Sequence, residues 1–152
     1  MKYFLYETGK KFQTLENEIT HIKDYIEIEK LRYKDDLKIK FEIIGEIKKT
    51  KIKPLLLIPF VENAFKHGAN KSIDKIKIDI DFNVEDDFLK FKVVNPIPIK
   101  PKKKQLFNRN QGGIGLSNVK KRLELGYKKE DYGIFIDNSN NQFVVELKIR
   151  VS

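Results

Sequence analysis

The sequence contains no cysteine, which excludes disulfide bonds and thiolate metal sites and fits a reducing compartment. It also lacks an apolar run of about 20 residues, the length that a membrane-spanning helix needs. The longest candidate, residues 54–61, is less than half as long. Residues 1–12 have no apolar core followed by small residues, so they do not resemble a secretion signal. These absences predict a cytosolic location.

Acidic residues are in the minority, with 22 Asp and Glu against 31 Lys and Arg, giving a net charge of +9. Such an excess is found in proteins that bind nucleic acid, an anionic membrane surface or a phosphate-rich ligand. The lysines are spread through every segment, which favours a solvated lysine-rich surface. The one dense run, residues 100–104, makes nucleic-acid binding a minor alternative, because signatures of duplex-binding motifs are absent.

The length of 152 residues and the hydrophobic fraction of 40% are typical of one globular domain. Helical spacing predicts helices over residues 15–34, 54–68 and 114–127, with Thr14 capping the first. Alternation predicts strands over residues 37–44, 73–82, 88–94, 132–137 and 142–151. Residues 96–111 form a predicted long loop, as expected for a lid or binding loop. Because helices and antiparallel strands are grouped, the predicted fold class is α+β, a two-layer α/β sandwich.

A polar stripe interrupts the otherwise apolar helix predicted over residues 54–68. Asn63 shares a helix face with Lys66 and His67, three and four residues further on. An amide oxygen suits Mg²⁺, which keeps waters and substrate phosphates as its other ligands. Lys66 suits a phosphate as a point charge. The alternative is a solvent-exposed helix edge with a Glu62–Lys66 ion pair.

Three glycines, Gly112, Gly113 and Gly115, form a predicted turn that leads into the third helix. Glycine lets the backbone approach a ligand closely, and a helix start offers N–H groups and a positive dipole to an anion. The same cluster also fits an ordinary turn. A P-loop requires Gly-Lys-Ser/Thr, which this sequence does not contain, so the pattern predicts a phosphate site of another kind.

Together, the two segments resemble the ATPase domain that histidine kinases share with gyrase and MutL. Residues 55–68, Leu-Leu-Leu-Ile-Pro-Phe-Val-Glu-Asn-Ala-Phe-Lys-His-Gly, resemble the N-box of LytS/YehU-type sensor histidine kinases. Residues 113–123, Gly-Ile-Gly-Leu-Ser-Asn-Val-Lys-Lys-Arg-Leu, resemble their G-box. Residues 15–18 and 25–33 resemble the helix that precedes their ATP domain. The resemblance covers about residues 15–151.

The resemblance implies a GHKL (Bergerat) fold, in which helices cover one face of a mixed, mostly antiparallel sheet. It also implies two parts, an N-terminal helical segment over residues 1–36 and a catalytic ATP-binding domain over residues 37–152. The implied cofactors are ATP and Mg²⁺. Asn63 would coordinate Mg²⁺, Lys66 would contact phosphate as a catalytic group, and His67 would line the phosphate or ribose side. The nucleotide-binding positions implied in the G-box are Gly113, Gly115, Leu116 and Asn118, with Arg122 a weaker candidate.

Two departures from the family pattern affect the expected site. Relatives carry Asp-x-Gly-x-Gly where this chain has Asn95 followed by Pro96, Ile97 and Pro98. An asparagine oxygen accepts the same adenine hydrogen bond without charge, so Asn95 is the expected adenine-binding residue. The missing glycines leave the lid geometry open. Pro59 stands where many relatives have an acid or amide, and Glu62, about 100° around the helix from Asn63, is the remaining candidate general base.

The phosphoacceptor motif of the family does not occur among these residues. The two histidines are His21, expected to be solvated or partly packed on the first helix, and His67 in the N-box. We therefore expect the cytoplasmic catalytic part of a longer bacterial sensor kinase anchored in the inner membrane through upstream segments. It would phosphorylate a histidine outside these residues, then a cognate response regulator, as a homodimer and without nucleic acid. The alternative, motivated by Asn95 and the missing glycines, is a degenerate module that acts through protein–protein contacts without ATP turnover.

Overall fold

The computed structural model describes residues 12–68, 76–96, 108–138 and 141–151. The helices are α1 (Leu15–Tyr33), α2 (Ile58–Gly68) and α3 (Asn108–Gly126). The strands are β1 (Gln13–Thr14), β2 (Leu37–Ile44), β3 (Lys51–Ile52), β4 (Ile76–Glu85), β5 (Phe88–Pro96), β6 (Tyr132–Asp137) and β7 (Gln142–Arg150). Short 3₁₀ turns at Lys34–Asp36 and Lys129–Asp131 follow α1 and precede β6.

Five strands form one sheet in the order β2–β4–β5–β7–β6. The β2–β4 pair is parallel and the other three pairs are antiparallel. Apolar residues alternate along each strand, so one face of the sheet is buried, and α2 packs on β4 and β5 from that side. Helix α2 also contacts α1 and α3. The predicted two-layer sandwich with a mixed, mostly antiparallel sheet is confirmed.

One apolar cluster joins the sheet and the helices. Its aromatic centre is Phe82, whose ring lies 5.0 Å from that of Phe91, which in turn lies 5.9 Å from the ring of Phe60. The apolar stripe of α1 belongs to the same cluster, through Leu15, Ile19, Ile22 and Ile26. Helix α1 therefore shares its core with the sheet layer, and the division of the chain at residue 36 stays a prediction.

The start of α1 is fixed by local and distant groups. Thr14 is its N-cap as predicted, because the threonine Oγ1 accepts the N–H of Asn17 at 3.2 Å. The N–H of Leu15 donates to the carbonyl of Thr50 at 2.7 Å. The sequence patterns did not predict the short antiparallel pair of β1 and β3. Strand β1 directly precedes α1, whereas β3 lies between β2 and α2. This two-residue ribbon ties the beginning of α1 to the segment before α2.

Two helix boundaries differ from the predicted ones. Helix α2 begins at Ile58 rather than at residue 54, because Leu55 has a φ of +53°, which no right-handed helix contains. Helix α3 begins at Asn108 rather than at residue 114, so the predicted turn at residues 112–115 is wrong and its backbone is helical. Glycine can adopt helical angles at a cost of about 1 kcal/mol relative to alanine, so these glycines do not prevent the helix.

The strands agree more closely with their predicted limits. Strand β5 extends to Pro96, two residues past the predicted end, and β4 extends to Glu85. Residues 73–75 of the predicted β4 strand and residues 97–107 of the predicted loop lie outside the described residues.

Gly45, directly after β2, is expected to be intolerant of substitution. Its φ is +105°, and an added Cβ would lie 2.4 Å from the carbonyl oxygen of Val84 on β4. Gly45→Ala is expected to lower the free energy of unfolding by about 1–3 kcal/mol, measured by urea denaturation. Gly133→Ala is the matched control, because a Cβ there meets no atom within 4 Å. Equal stabilities of the two variants would contradict the proposed steric cause.

The opposite face of the sheet carries mostly polar side chains, among them Asp81. Burial raises the pKa of the Asp81 carboxyl, and Glu42 opposite on β2 raises it further, while Lys40 and Lys92 partly offset the shift. A raised folded-state pKa means that the ionised carboxylate destabilises the fold at pH 7. Asp81→Asn is therefore expected to raise the Tm at pH 7, and the difference should shrink as the pH falls through the folded-state pKa toward 3.8. Thermal unfolding of Asp24→Asn, a variant at an exposed position on α1, provides the control. A Tm gain in Asp81→Asn that does not change with pH would contradict the explanation.

Candidate functional site

Buried polar side chains are few among the described residues, and they fall into two groups. Four lie close to α1 or to the segment before β3, namely Gln13, Glu18, Glu29 and Thr50. These four take part in hydrogen bonds with neighbouring groups. The other two are Asn63 and Asn95, both of them predicted site residues. Burying an amide carries a desolvation cost, and both of these amides fall at positions that the sequence motifs had already singled out.

Asn63 lies in the middle of α2 and is only 8% exposed. Its neighbours along the helix, Phe60, Val61, Ala64 and Phe65, are buried and apolar. Lys66 lies one turn further on and is exposed. The helix therefore places a neutral oxygen donor inside the fold and an ammonium group at its surface.

Asn95 lies near the end of β5, on the strand face that packs against the helices. Every second residue of the strand lies on this face, including Phe91, Val93 and Asn95, and Asn95 is 1% exposed. Phe143 is its partner across the β5–β7 pair. Since α2 packs on β5, the two buried amides belong to the same interior layer.

The G-box helix α3 packs against the N-box helix α2, so the two motifs lie side by side. Asn118 is exposed on α3, next to the buried Val119. Gly113, Gly115 and Leu116 fall within the helical backbone of α3, but their side-chain environments, like that of His67, lie outside the described residues. Helix α3 therefore begins before residue 114, and the phosphate contacts expected of these residues stay a prediction.

Glu62 lies on the flank of α2 that faces α1. Partial burial raises the pKa of its carboxyl, and Lys66 offsets part of the shift. Burial also raises the pKa of Tyr25 on α1, with Glu29 and Glu62 adding to the effect. Glu62 and Asn63 thus face different neighbours, and a role for Glu62 as a general base stays a prediction. His21 is partly buried, in line with the packing expected for it.

Glu18 is the functional candidate that the sequence patterns did not single out. Its side chain on α1 is fully buried. One carboxylate oxygen accepts the N–H of Leu55 at 2.9 Å, and the other accepts the N–H groups of Leu57 and Ile58 at 2.8 and 3.4 Å. The helical spacing holds a signal for it, because residue 18 falls on the apolar stripe of α1, three residues after Leu15 and four before Ile22. An acid on an apolar stripe indicates a buried partner.

Arg122 on α3 holds the same turn from the other side. Its guanidinium donates to the carbonyl of Leu55 at 2.9 Å and to that of Pro54 at 2.6 Å. Tyr127, just after α3, accepts the N–H of Lys53 at 3.0 Å. The two bonds from Arg122 give it a structural role at this turn, and the nucleotide contact weakly expected for it stays a prediction.

Replacing Arg122 by lysine is expected to destabilise the fold by about 1–3 kcal/mol, because one ammonium cannot reproduce the guanidinium fork and leaves a partly buried carbonyl unpaired. Urea denaturation measures the change. The same replacement at Arg150, whose salt bridge with Asp131 is exposed, should cost less than about 1 kcal/mol. A larger loss at Arg150 than at Arg122 would argue against the role given to Arg122.

The described residues also limit the kinds of site available. They contain no group of three or more His, Cys, Asp or Glu side chains placed to hold a metal ion. A groove of about 420 Å³ lies on the opposite sheet face, bordered by Lys90, Gly133, Phe135 and Lys148, and it includes none of the predicted site residues. No helix in the described ranges has the length and apolar character to span a bilayer. The lysine run at residues 100–104 lies outside those ranges.

Comparisons with known proteins agree with the resemblance seen in the motifs. A family model described as "Histidine kinase" matches residues 1–37. The sensor histidine kinase BtsS of Escherichia coli K12 is 30% identical over 126 residues, covering 83% of this chain and 21% of that protein. The sensor protein LytS of Oceanobacillus iheyensis is 28% identical over 141 residues, covering 87% of this chain and 24% of that protein. The chain thus spans about a quarter or less of the length of these relatives.

Solved structures give the same fold. The catalytic domain of histidine kinase ThkA matches with a TM-score of 0.64 and 20% identity, covering 91% of this chain and 93% of that one. Full-length ShkA in complex with AMPPNP matches with a TM-score of 0.64 and 11% identity, covering 93% of this chain and 31% of that one. ThkA in complex with the response regulator TrrA matches with a TM-score of 0.63 and 20% identity, covering 98% of this chain and 45% of that one. This chain has the fold of histidine kinase catalytic domains and is homologous to sensor histidine kinases over most of its length.

Proposed function

We propose that this chain binds Mg·ATP and presents it for phosphoryl transfer to a histidine elsewhere in a sensor kinase, and from there to a response regulator. The observation that carries the proposal is the pair of buried amides, Asn63 on α2 and Asn95 on β5, in one otherwise apolar layer. The ShkA complex with AMPPNP and the ThkA complex with TrrA support the nucleotide and the regulator, respectively. The kinase dimer and a membrane anchor belong to the same proposal and rest on the family resemblance.

The donor set fits the proposed ligand. The amide oxygen of Asn63 is a hard neutral ligand, and Mg²⁺ characteristically takes one or two protein oxygens and completes its shell with water and phosphate oxygens. When bound, Mg²⁺ neutralises phosphate charge during transfer.

In this proposal, different residues of the chain bind the metal, the phosphates and the adenine. Asn63 holds the metal, and Lys66 contributes a positive charge to the phosphates from the exposed end of the helix. Asn95 accepts a hydrogen bond from the adenine amino group at the end of β5. His67 and the α3 residues Gly113, Gly115, Leu116 and Asn118 are proposed to line the phosphate and ribose side. Glu62 is proposed as the general base, since its raised pKa favours proton acceptance.

Asn63→Ala is expected to weaken Mg·ATP binding at least about tenfold, because the metal loses its proposed protein ligand. Isothermal titration with ATP, in the presence of Mg²⁺ and again with EDTA, measures the affinity. The wild type should bind more weakly in EDTA, whereas the Asn63→Ala variant should lose most of this dependence on Mg²⁺.

Asn83→Ala is the matched control, because Asn83 lies on β4 with its side chain on the opposite face of the sheet. It should bind Mg·ATP like the wild type. Undetectable binding by the wild type at millimolar nucleotide would overturn the proposal and favour a module that acts without ATP. Unchanged, Mg²⁺-dependent binding by Asn63→Ala would remove Asn63 from the metal site.

A further inference from the structure

The start of α2 depends on a side chain from another helix. Four donors converge on the Glu18 carboxylate: the backbone N–H groups of Leu55, Leu57 and Ile58, and the amide nitrogen of Gln13 at 2.5 Å. Gln13 is oriented in turn by Asn17, whose amide donates to the Gln13 oxygen at 2.6 Å. Each of the four bonds to Glu18 needs an acceptor at residue 18, so the carboxylate is matched to its surroundings.

The sequence before α2 offers no capping side chain of its own. Leucine occupies residues 55–57, where a serine, threonine, aspartate or asparagine would otherwise accept from the first helical N–H groups. Pro59 has no N–H, and the N–H of Phe60 donates to the carbonyl of Leu57 at 3.0 Å. Glu18, 40 positions before Ile58, therefore supplies the cap, and its negative charge lies at the positive end of the helix.

The turn before α2 is held between two helices. Its N–H groups point to the anion on α1, while the carbonyls of Pro54 and Leu55 accept from Arg122 on α3. Leu55 is the residue with both its N–H and its carbonyl bound in this way, and it is the one in the left-handed conformation, with a φ of +53°. Such a conformation is unfavourable for leucine and persists only where the surrounding contacts determine it.

Helix α1 also contacts the second half of α2. The ring of Phe65 packs edge-on against Tyr25, with 5.5 Å between centroids, and stacks on Tyr33 at 6.5 Å. Asn63 lies between these aromatic contacts and the capped end. Over the five residues from Ile58 to Asn63, an α-helix rises by about 7.5 Å, so one continuous stretch of helix connects the capped end to Asn63.

We propose that Glu18 is a positioning residue for nucleotide binding: by capping α2 from α1, it fixes the depth at which Asn63 is held against β5. This inference rests on the proposed function of Asn63. It makes nucleotide affinity depend on where α1 lies relative to α2, through a contact that touches no part of the ligand.

Glu18→Gln tests the proposal with a side chain of nearly the same shape. Whichever carboxylate oxygen is replaced by NH₂, that group faces N–H donors, so one side of the cap is lost while the volume is kept. We expect Mg·ATP affinity to fall by about fivefold to fiftyfold, comparable to the loss of a supporting residue at a metal site, with the preference for Mg²⁺ over EDTA retained. Hydrogen exchange at the amides of Leu57 and Ile58 should accelerate in the same variant.

Two control variants separate positioning from general destabilisation. Glu16→Gln removes the same charge from the same first turn of α1 at an exposed position, and should bind like the wild type. Ile26→Val weakens the packing of the buried stripe of α1 away from the cap, and should lower Tm without changing affinity at temperatures well below it. Titrations are compared at a temperature where each variant is folded by circular dichroism.

The outcomes are distinguishable. Failure of the wild type to bind Mg·ATP overturns the proposed function, and this role with it. Wild-type affinity in a folded Glu18→Gln variant, or an equal loss of affinity in Ile26→Val, overturns the positioning role alone. If Glu18→Gln does not fold, Gln13→Ala loosens the carboxylate by removing one of its four donors, and an affinity equal to that of the wild type then overturns the role.

Discussion

The buried carboxylate of Glu18 is the contact on which the arrangement of the helices depends. It carries a negative charge into a layer of apolar side chains, and burial raises its pKa even though three backbone N–H groups act in the opposite direction. An isolated charge in such a place would be very unfavourable. It is tolerable here because the donors are peptide groups at a helix start, which would themselves be unpaired without it. The carboxylate and the N–H groups at the helix start therefore pair with each other, and the desolvation cost of each is offset by the hydrogen bonds between them.

The turn that Glu18 binds explains how three helices keep one geometry over the sheet. Apolar packing alone is non-directional, and α1 could slide along α2 by small steps with little change in buried area. Hydrogen bonds from Glu18 and Arg122 to opposite sides of one turn remove this freedom, because each bond requires a particular distance and angle. Glu18 and Arg122 together hold the Leu55 backbone in an unfavourable conformation. This shows how strongly the two side chains determine the local structure.

The parts of the fold that were predictable from sequence are those set by neighbours along the chain. The Thr14 cap and the alternation in β4, β5 and β7 are local signals, and each is present at its expected place. The start of α2 was misplaced because it depends on Glu18, some 40 positions away, which a window of local sequence does not contain. The start of α3 was misplaced because glycine permits both a turn and a helix, so residues 112–115 do not decide between them.

The candidate site shows the same division. Asn63 and Lys66 were identified from helical spacing, and the structure places one of them inside the fold and the other at its surface. Burial of Asn95 follows from strand alternation, but its proximity to the layer of α2 required the order of the strands. Glu18 carried a usable signal, an acid on an apolar stripe, although its partners could not be known without the turn. Helical spacing tells which residues are buried, whereas only the tertiary contacts tell what a buried polar group binds.

The two sets of buried polar groups lie in different parts of the interior. Around Glu18, donors and acceptors belonging to the chain match one another, which makes this part of the interior rigid. At Asn63 and Asn95, amides stand among apolar side chains at the place where α2 meets β5. The rigid set lies at the beginning of the helix that carries Asn63, and a side chain meant to hold a ligand at a fixed depth needs such support from its own backbone.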